Sequence, residues 1–322
     1  MTIRRQILLL VARRAVALLF VLLLISFGVF SLLYLAPGSL EQVLLGGRPA
    51  TPELVASLRA TYHLNDSFLG QYFWWLDHAI RFQFGRSIRT NEPVSSVITG
   101  HFAITFFLGL YAFMITLLIG IPLGMLAALA KGTALDRTAV ALTVVGVSVP
   151  AFATGIVLLY LFGIEFPWFP IFGAGSGLVD RLWHLTMPAI ALALTVLALV
   201  VKFARAGMIT ALEQDFVTFA RARGLSWRRV MLGYALRNAL VPIVTASGLI
   251  LGYLLTGAVL VETVFALPGL GSLLVDSVNY RDVPVVQGLA MLTATLIVLA
   301  NLLTDIAYML IDPRIRFGES AL

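Results

Sequence analysis

Six long apolar runs dominate this chain and leave it little to fold into except a bundle within a bilayer. They cover roughly Val16–Leu35, His101–Ala130, Thr138–Phe162, Trp183–Phe203, Leu240–Val261 and Pro284–Leu310. Each reaches the ~20 residues that a helix needs to cross a hydrocarbon core. Composition agrees: 60% of residues are apolar and only 12% are charged. A soluble domain carries about a quarter charged residues to wet its surface. Too few charges remain to cover a sphere of 322 residues, so the rest of the surface faces lipid. The expected fold class is an all-α polytopic membrane protein with about six transmembrane helices.

The chain has no cysteine, which excludes disulfides, thiol catalysis and cysteine-ligated metal. Its net charge of +6 comes mostly from arginines in short segments, without a basic stripe interleaved with exposed aromatics. That pattern reads as membrane orientation rather than nucleic-acid binding. With the amino terminus inside, fifteen of the 22 basic residues fall in cytoplasmic segments. The other seven lie outside, five of them in the long first loop, where the charge rule is weak. Both termini are therefore expected in the cytoplasm.

The first run follows Arg4, Arg5, Arg13 and Arg14, as in a signal peptide. It is longer than a signal-peptide core, and its exit at Tyr34-Leu35-Ala36-Pro37 lacks a small-x-small cleavage pattern. An uncleaved span is expected. The extracytoplasmic stretch at about 37–100 holds a helix start, with Thr51 as N-cap, Pro52 at the first position and Glu53 in the first turn. Phe68, Tyr72, Phe73, Trp74 and Trp75 suit either the headgroup layer or the core of a small subdomain. Pro122, Pro150, Pro188 and Pro242 fall in or at the ends of spans, where neighbouring helices can re-satisfy freed carbonyls.

The longest cytoplasmic loop, about 204–239, reads as two short helices broken at Gly224. The first, about Thr210–Arg223, sets Phe216, Phe219 and Ala220 on one side at helical spacing. Gly224 can take the left-handed conformation that ends a helix. Ser226 is placed to cap the second, about Trp227–Leu236. Such a hairpin suits docking into a groove on a partner protein. It equally suits resting on anionic lipid through Arg221, Arg223, Arg228 and Arg229.

The stretch Thr218-Phe-Ala-Arg-Ala-Arg-Gly224-Leu-Ser resembles the cytoplasmic loop signature of permease subunits of binding-protein-dependent ABC importers. That signature carries Glu-Ala-Ala, three intervening residues and a glycine. Ala220 and Gly224 match it; Thr218 and Phe219 stand where the glutamate and first alanine would be. The downstream Ile-x-Leu-Pro element is also altered, reading Leu236-Arg-Asn-Ala-Leu-Val-Pro242. These departures look like the dipeptide, oligopeptide and nickel branch. So do Leu35-Ala-Pro-Gly38, Phe84-Gly-Arg-Ser87, Gln214-Asp-Phe-Val217, Val261-Glu-Thr-Val-Phe265, Pro268-Gly-Leu-Gly271, Pro284-Val-Val-Gln-Gly288 and Asp312-Pro-Arg-Ile-Arg316, in that order along nearly the whole chain. Gln83 stands where an acid is common in relatives.

The resemblance implies a single transmembrane domain over residues 1–322 with the type I ABC importer fold, in the inner or plasma membrane. It implies a peptide substrate, a second homologous permease, two ATPase subunits and an extracytoplasmic solute-binding protein, and no nucleic acid. Asp215, Phe216, Phe219, Ala220, Arg221, Arg223, Gly224, Leu225 and Ser226 would form the loop that couples to the ATPase. No cofactor is expected on this chain, with ATP and Mg²⁺ held by the partner ATPases. The residues agree: a phosphate-binding loop needs glycines followed by Lys-Ser/Thr, whereas Lys131 precedes Gly132 and Lys202 precedes Phe203.

Glu262 and Asp305 are candidates as gate charges or as structural charges. Asp305 sits near the cytoplasmic end of the last span, which favours pairing with an arginine or snorkelling over proton relay. Glu262 reads as an interfacial charge at the outer end of the fifth. His63, His78, His101 and His184 are scattered without metal-ligand spacing. Ser39, Ser148 and Ser176 lack His and Asp partners by sequence, against an intramembrane hydrolase. A secondary transporter would show related halves or midplane acids, and neither is seen. Permeases for nickel chelates or oligosaccharides share the same scaffold.

Overall fold

The computed structural model describes residues 3–35, 41, 45, 49, 51–256 and 258–311. The motifs at Ala36–Gly38 and Asp312–Arg316, together with Ser39, lie outside them. Among the described residues the chain is helical, with an isolated bridge between Arg86 and Pro93 as its only extended pairing.

The elements are α1 (Ile3–Leu35), α2 (Pro52–Thr61), α3 (Phe68–Ile80), α4 (Val94–Leu129), α5 (Ala134–Ser148), α6 (Ala151–Leu159) and α7 (Gly177–Leu212). They continue with α8 (Asp215–Ala222), α9 (Trp227–Arg229), α10 (Leu236–Thr256), α11 (Val259–Val264), α12 (Leu270–Asn279) and α13 (Val283–Ile311). Wider π turns occupy Tyr160–Glu165 after α6 and Val230–Ala235 before α10.

Among the described residues four helical stretches are long and apolar enough to cross a membrane: Val94–Leu129, Gly177–Leu212, Trp227–Val264 and Val283–Ala307. Within the 33-residue α1 lies a shorter apolar stretch, Ala15–Ser31. The expected third span is not one straight helix: α5 and α6 meet at 96°. The cause is local. A residue before proline is pushed away from helical backbone, and Val149 accordingly takes φ −94°, ψ 125° ahead of Pro150, which has no N–H to donate. Pro122, Pro188 and Pro242, by contrast, lie inside α4, α7 and α10.

The chain divides into two compact units. The first comprises Met1–Val11, Phe106–Leu267 and Leu299–Leu322. Its central element is α7, packed against α5, α6, α10 and α11. Small residues bring backbones together. A Cβ on Gly124 would lie 2.6 Å from Ala204 Cβ and 2.7 Å from the Val201 carbonyl. One on Gly207 would lie 2.9 Å from Pro242 Cγ and 3.2 Å from Ala239 Cα. In lipid there is little hydrophobic drive between helices, so close backbone packing of this kind holds them.

The second unit comprises Ala12–Thr105 and Pro268–Val298. Its core joins Val29 and Phe30 of α1 to Tyr72 and Trp75 of α3, with Phe84, Val94, Ile98, Val285 and Leu289. The aromatic cluster thus divides: Tyr72 and Trp75 are buried, whereas Phe73 is exposed. Phe30 meets Tyr72, Phe68 and Trp75 at 5.4–5.7 Å between ring centres. The loop after α3 is pinned by the buried Asp282 carboxylate. It accepts hydrogen bonds from Ser87 Oγ (2.5 Å), the Ile88 N–H (3.1 Å) and the Arg89 N–H (3.3 Å).

Candidate functional site

The segment between α7 and α10 is a bent hairpin, built largely from local rules. Helix α7 stops at Leu212, one residue of extended backbone follows at Gln214, and α8 starts at Asp215. The first arm is therefore eight residues long, shorter than the expected Thr210–Arg223, because the chain breaks at Glu213–Gln214. Asp215 lies in its first turn, where a negative charge complements the helix dipole.

Helix α8 ends at Gly224, whose φ of +75° suits glycine. The Gly224 N–H donates to the Arg221 carbonyl (2.9 Å) and the Leu225 N–H reaches back to the Ala220 carbonyl (3.2 Å). These two bonds define a Schellman motif, and its usual apolar closure is present. Leu225 and Phe216 pack on a small core of Val217, Ala220 and Val230. Across the bend the Arg221 guanidinium sits 4.2 Å from the centre of the Trp227 ring.

Three details differ from the sequence reading. Phe219 does not share the buried side with Phe216 and Ala220; it is 69% exposed. Val230 from beyond the bend packs onto Val217 and Ala220, which rotates the inner face towards Val217 and turns Phe219 outward. Ser226 occupies the N-cap position, but its side chain makes no capping hydrogen bond. It is exposed, and water can serve the first N–H groups there. Finally, the second arm is not a separate helix ending at Leu236. It passes through the π turn into α10, so the hairpin is continuous with a membrane-crossing stretch.

The hairpin stands on a packed base in the first unit. Ala204, Met208 and Ala211 of α7 pack against Ala235, Ala239 and Ile243, with Ala128 of α4. Arg205 of α7 grips Asp136 of α5 at two points, Nε to Oδ1 at 2.6 Å and Nη2 to Oδ2 at 2.8 Å. The Gly132 N–H donates to the same carboxylate at 2.9 Å. Lys131 and Glu213 pair at 2.9 Å between the ends of α4 and α7. Sequence reasoning did not single out Asp136. Its partner is 69 residues away, and the one local signal was an acid two residues before an apolar run.

Solvent-facing groups sit at the tip: Phe219, the Arg221–Trp227 pair, Arg223, Arg228 and Arg229. Buried groups hold the bend, and the exposed face carries two rings, Phe219 and Trp227, among arginines. The two candidate charges lie apart from it. Glu262, in α11, is fully buried rather than exposed at an interface. Asp305, in α13, is half-buried, one residue after Thr304, whose hydroxyl donates to the Ala300 carbonyl at 2.7 Å. Among the described residues no three His, Asp or Glu side chains converge as metal ligands.

Comparison with known proteins places this geometry in a family. The family described as binding-protein-dependent transport system inner membrane component matches residues 120–317, and the N-terminal part of that membrane component matches residues 7–109. A probable peptide ABC transporter permease protein of Sinorhizobium fredii is 36% identical over 310 residues, covering 95% of this chain and 99% of the relative. The dipeptide transport system permease protein of Escherichia coli K12 is 36% identical over 313 residues, covering 89% and 92%. The glutathione transport system permease protein of Salmonella choleraesuis is 35% identical over 308 residues, covering 95% and 98%. An inward-facing structure of the MetNI methionine ABC transporter matches with a TM-score of 0.54 at 16% identity, over 67% of this chain and 96% of that one. The fold is thus that of a type I ABC importer transmembrane domain, in a multi-pass protein of the inner membrane. The chain belongs to the family of binding-protein-dependent transport system inner membrane components.

Proposed function

We propose that this chain is the permease subunit of an ATP-driven importer of di- or oligopeptides. It forms half of the translocation pathway as one transmembrane domain and takes its driving force from a separate ATPase through the hairpin around Gly224. The observation that carries the coupling role is the hairpin's division of labour. Val217, Ala220, Leu225 and Val230 hold the bend from within, while Phe219 is exposed on its outer side. An exposed ring on such a bend is the anchor that a groove on a partner would take.

The substrate class is supported by the peptide, dipeptide and glutathione transport named for the three relatives. The same reading calls for a second homologous permease, two ATPase subunits that hold ATP and Mg²⁺, and an extracytoplasmic solute-binding protein. Both termini and the hairpin lie in the cytoplasm, and the stretch at about 37–100 lies outside. Closure of the ATPases on ATP would move the hairpin and, through the unbroken second arm, the α10 span. ATP shifts the conformational equilibrium only by as much as it binds the closed state better than the open one.

Gly224→Glu tests the coupling. The variant should insert and assemble with its permease partner but no longer link ATP hydrolysis to peptide uptake in proteoliposomes. Uptake at the rate of the unaltered protein would remove the coupling role.

A further inference from the structure

The second unit holds a cavity of about 310 Å³ that no part of the transport reading uses. Its lining gathers features that the sequence left without a role: the paired tryptophans Trp74 and Trp75, His78, and Gln83, with Tyr62 and Gln287. Ligand sites are mostly apolar or aromatic concavities with a few convergent polar groups. Here the rings are supplied by Trp74 and Trp75, and the polar groups by a phenol, an imidazole and two side-chain amides.

The chemistry of the walls is selective. None of the described residues lining the cavity is Asp, Glu, Lys or Arg. A charged group entering it would be desolvated with no charged side chain among those lining residues to pair with, which is costly. Asp282 does not line it, and the Asp282 oxygens are engaged by Ser87, Ile88 and Arg89. Burial, and secondarily the Asp282 carboxylate, push the Tyr62 phenol above its ordinary pKa and keep it protonated. His78 Nδ1 lies 2.8 Å from the Trp74 carbonyl, which can only accept, so in the neutral ring Nδ1 carries the hydrogen. That leaves His78 Nε2 as an acceptor. The Trp74 and His78 rings pack against each other, 4.1 Å between centres and tilted by 32°. In size the cavity is about twice the ~150 Å³ that holds benzene, enough for one substituted ring.

We propose that this cavity is a binding site for an uncharged aromatic ring that carries a hydrogen-bond donor, such as a phenol or an indole. The ring lies against Trp74 and Trp75, and its donor meets His78 or a side-chain amide. A zwitterionic peptide would find no charged partner among the described lining residues, which sets this site apart from the translocation of cargo. The ring can come from a free small molecule or from an aromatic side chain of a docked protein.

Ligand-observed NMR on the full-length protein in nanodiscs tests this with p-cresol. Saturable binding is expected, with 4-hydroxybenzoate and tyramine at least about tenfold weaker because each carries a charge. Gln83→Trp and Thr61→Trp, both at exposed lining positions, should each weaken p-cresol by a similar factor while leaving the thermal transition unchanged. N-acetyl-tyrosinamide separates the sources: binding alongside p-cresol assigns a protein side chain, and its exclusion assigns a free small molecule. Absence of p-cresol binding, equal binding of the charged analogues, or unchanged affinity in both rim variants would overturn the site.

Discussion

Arg205 holds Asp136 in a two-point grip, with both guanidinium-to-carboxylate contacts under 3 Å and the Asp136 side chain only 6% exposed. The pair ties α5 to α7 about two turns before the hairpin begins. Its geometry depends on the planar fork of arginine, which lysine cannot reproduce.

Arg205→Lys should therefore behave much more like Arg205→Gln than like the unaltered protein. Asp136→Asn should lower the apparent melting temperature by roughly 2–4 °C, the scale expected for loss of one such contact in a chain of this size. The double variant Asp136→Asn/Arg205→Gln should melt close to the worse single variant rather than at the sum of the two losses. Additive losses by differential scanning fluorimetry would show that the two residues act independently.

Gly224 tests the bend itself. A Cβ there would meet nothing within 4 Å, so the cost of a side chain is conformational and not steric. Gly224→Ala should cost about 1 kcal/mol, the penalty for an L-residue in the left-handed region, and Gly224→Asn less. The amides of Gly224 and Leu225 should then exchange hydrogen about fivefold faster in the alanine variant.

Phe219 and Val217 are neighbours on α8 with opposite exposures, 69% and 2%. Val217→Ala should destabilise the hairpin by about 1.5 kcal/mol, since two buried methyl equivalents are lost. Phe219→Ala should change the stability of the isolated chain by less than about 0.5 kcal/mol. On the proposed function it should still weaken co-purification of the ATPase by about tenfold or more, the scale of an anchor side chain. Intact association in Phe219→Ala would move the contact elsewhere on the hairpin.

Asp282 anchors a loop 195 residues away in sequence. Asp282→Ala strands the buried Ser87 hydroxyl, at about 1–3 kcal/mol, and frees the more accessible N–H groups of Ile88 and Arg89. Limited proteolysis should then cut between Gly85 and Glu92 at protease concentrations that leave the unaltered protein whole. Ser87→Ala, which removes one donor and keeps the other two, should be cut at an intermediate rate.

The bilayer class and the bend at Gly224 were legible from the residues alone, because both follow from short-range physics. Unbroken apolar runs cannot be wetted wherever they sit, and a Schellman turn closes within six residues of itself. The right-angle break at Pro150 had a local signal too, but proline marks only where a helix is interrupted; Pro122, Pro188 and Pro242 lie within helices. What only the tertiary structure decided was which surfaces meet. Val230 displaced Phe219 from the inner face of α8, Glu262 became buried, and Asp136 found Arg205. Tyr62, Gln83 and Gln287 came to line one cavity from three separate stretches of chain. Asp136 and Arg205 stand 69 residues apart, beyond any local window, and even the nearer Val217 and Val230 meet only because the bend folds one arm onto the other.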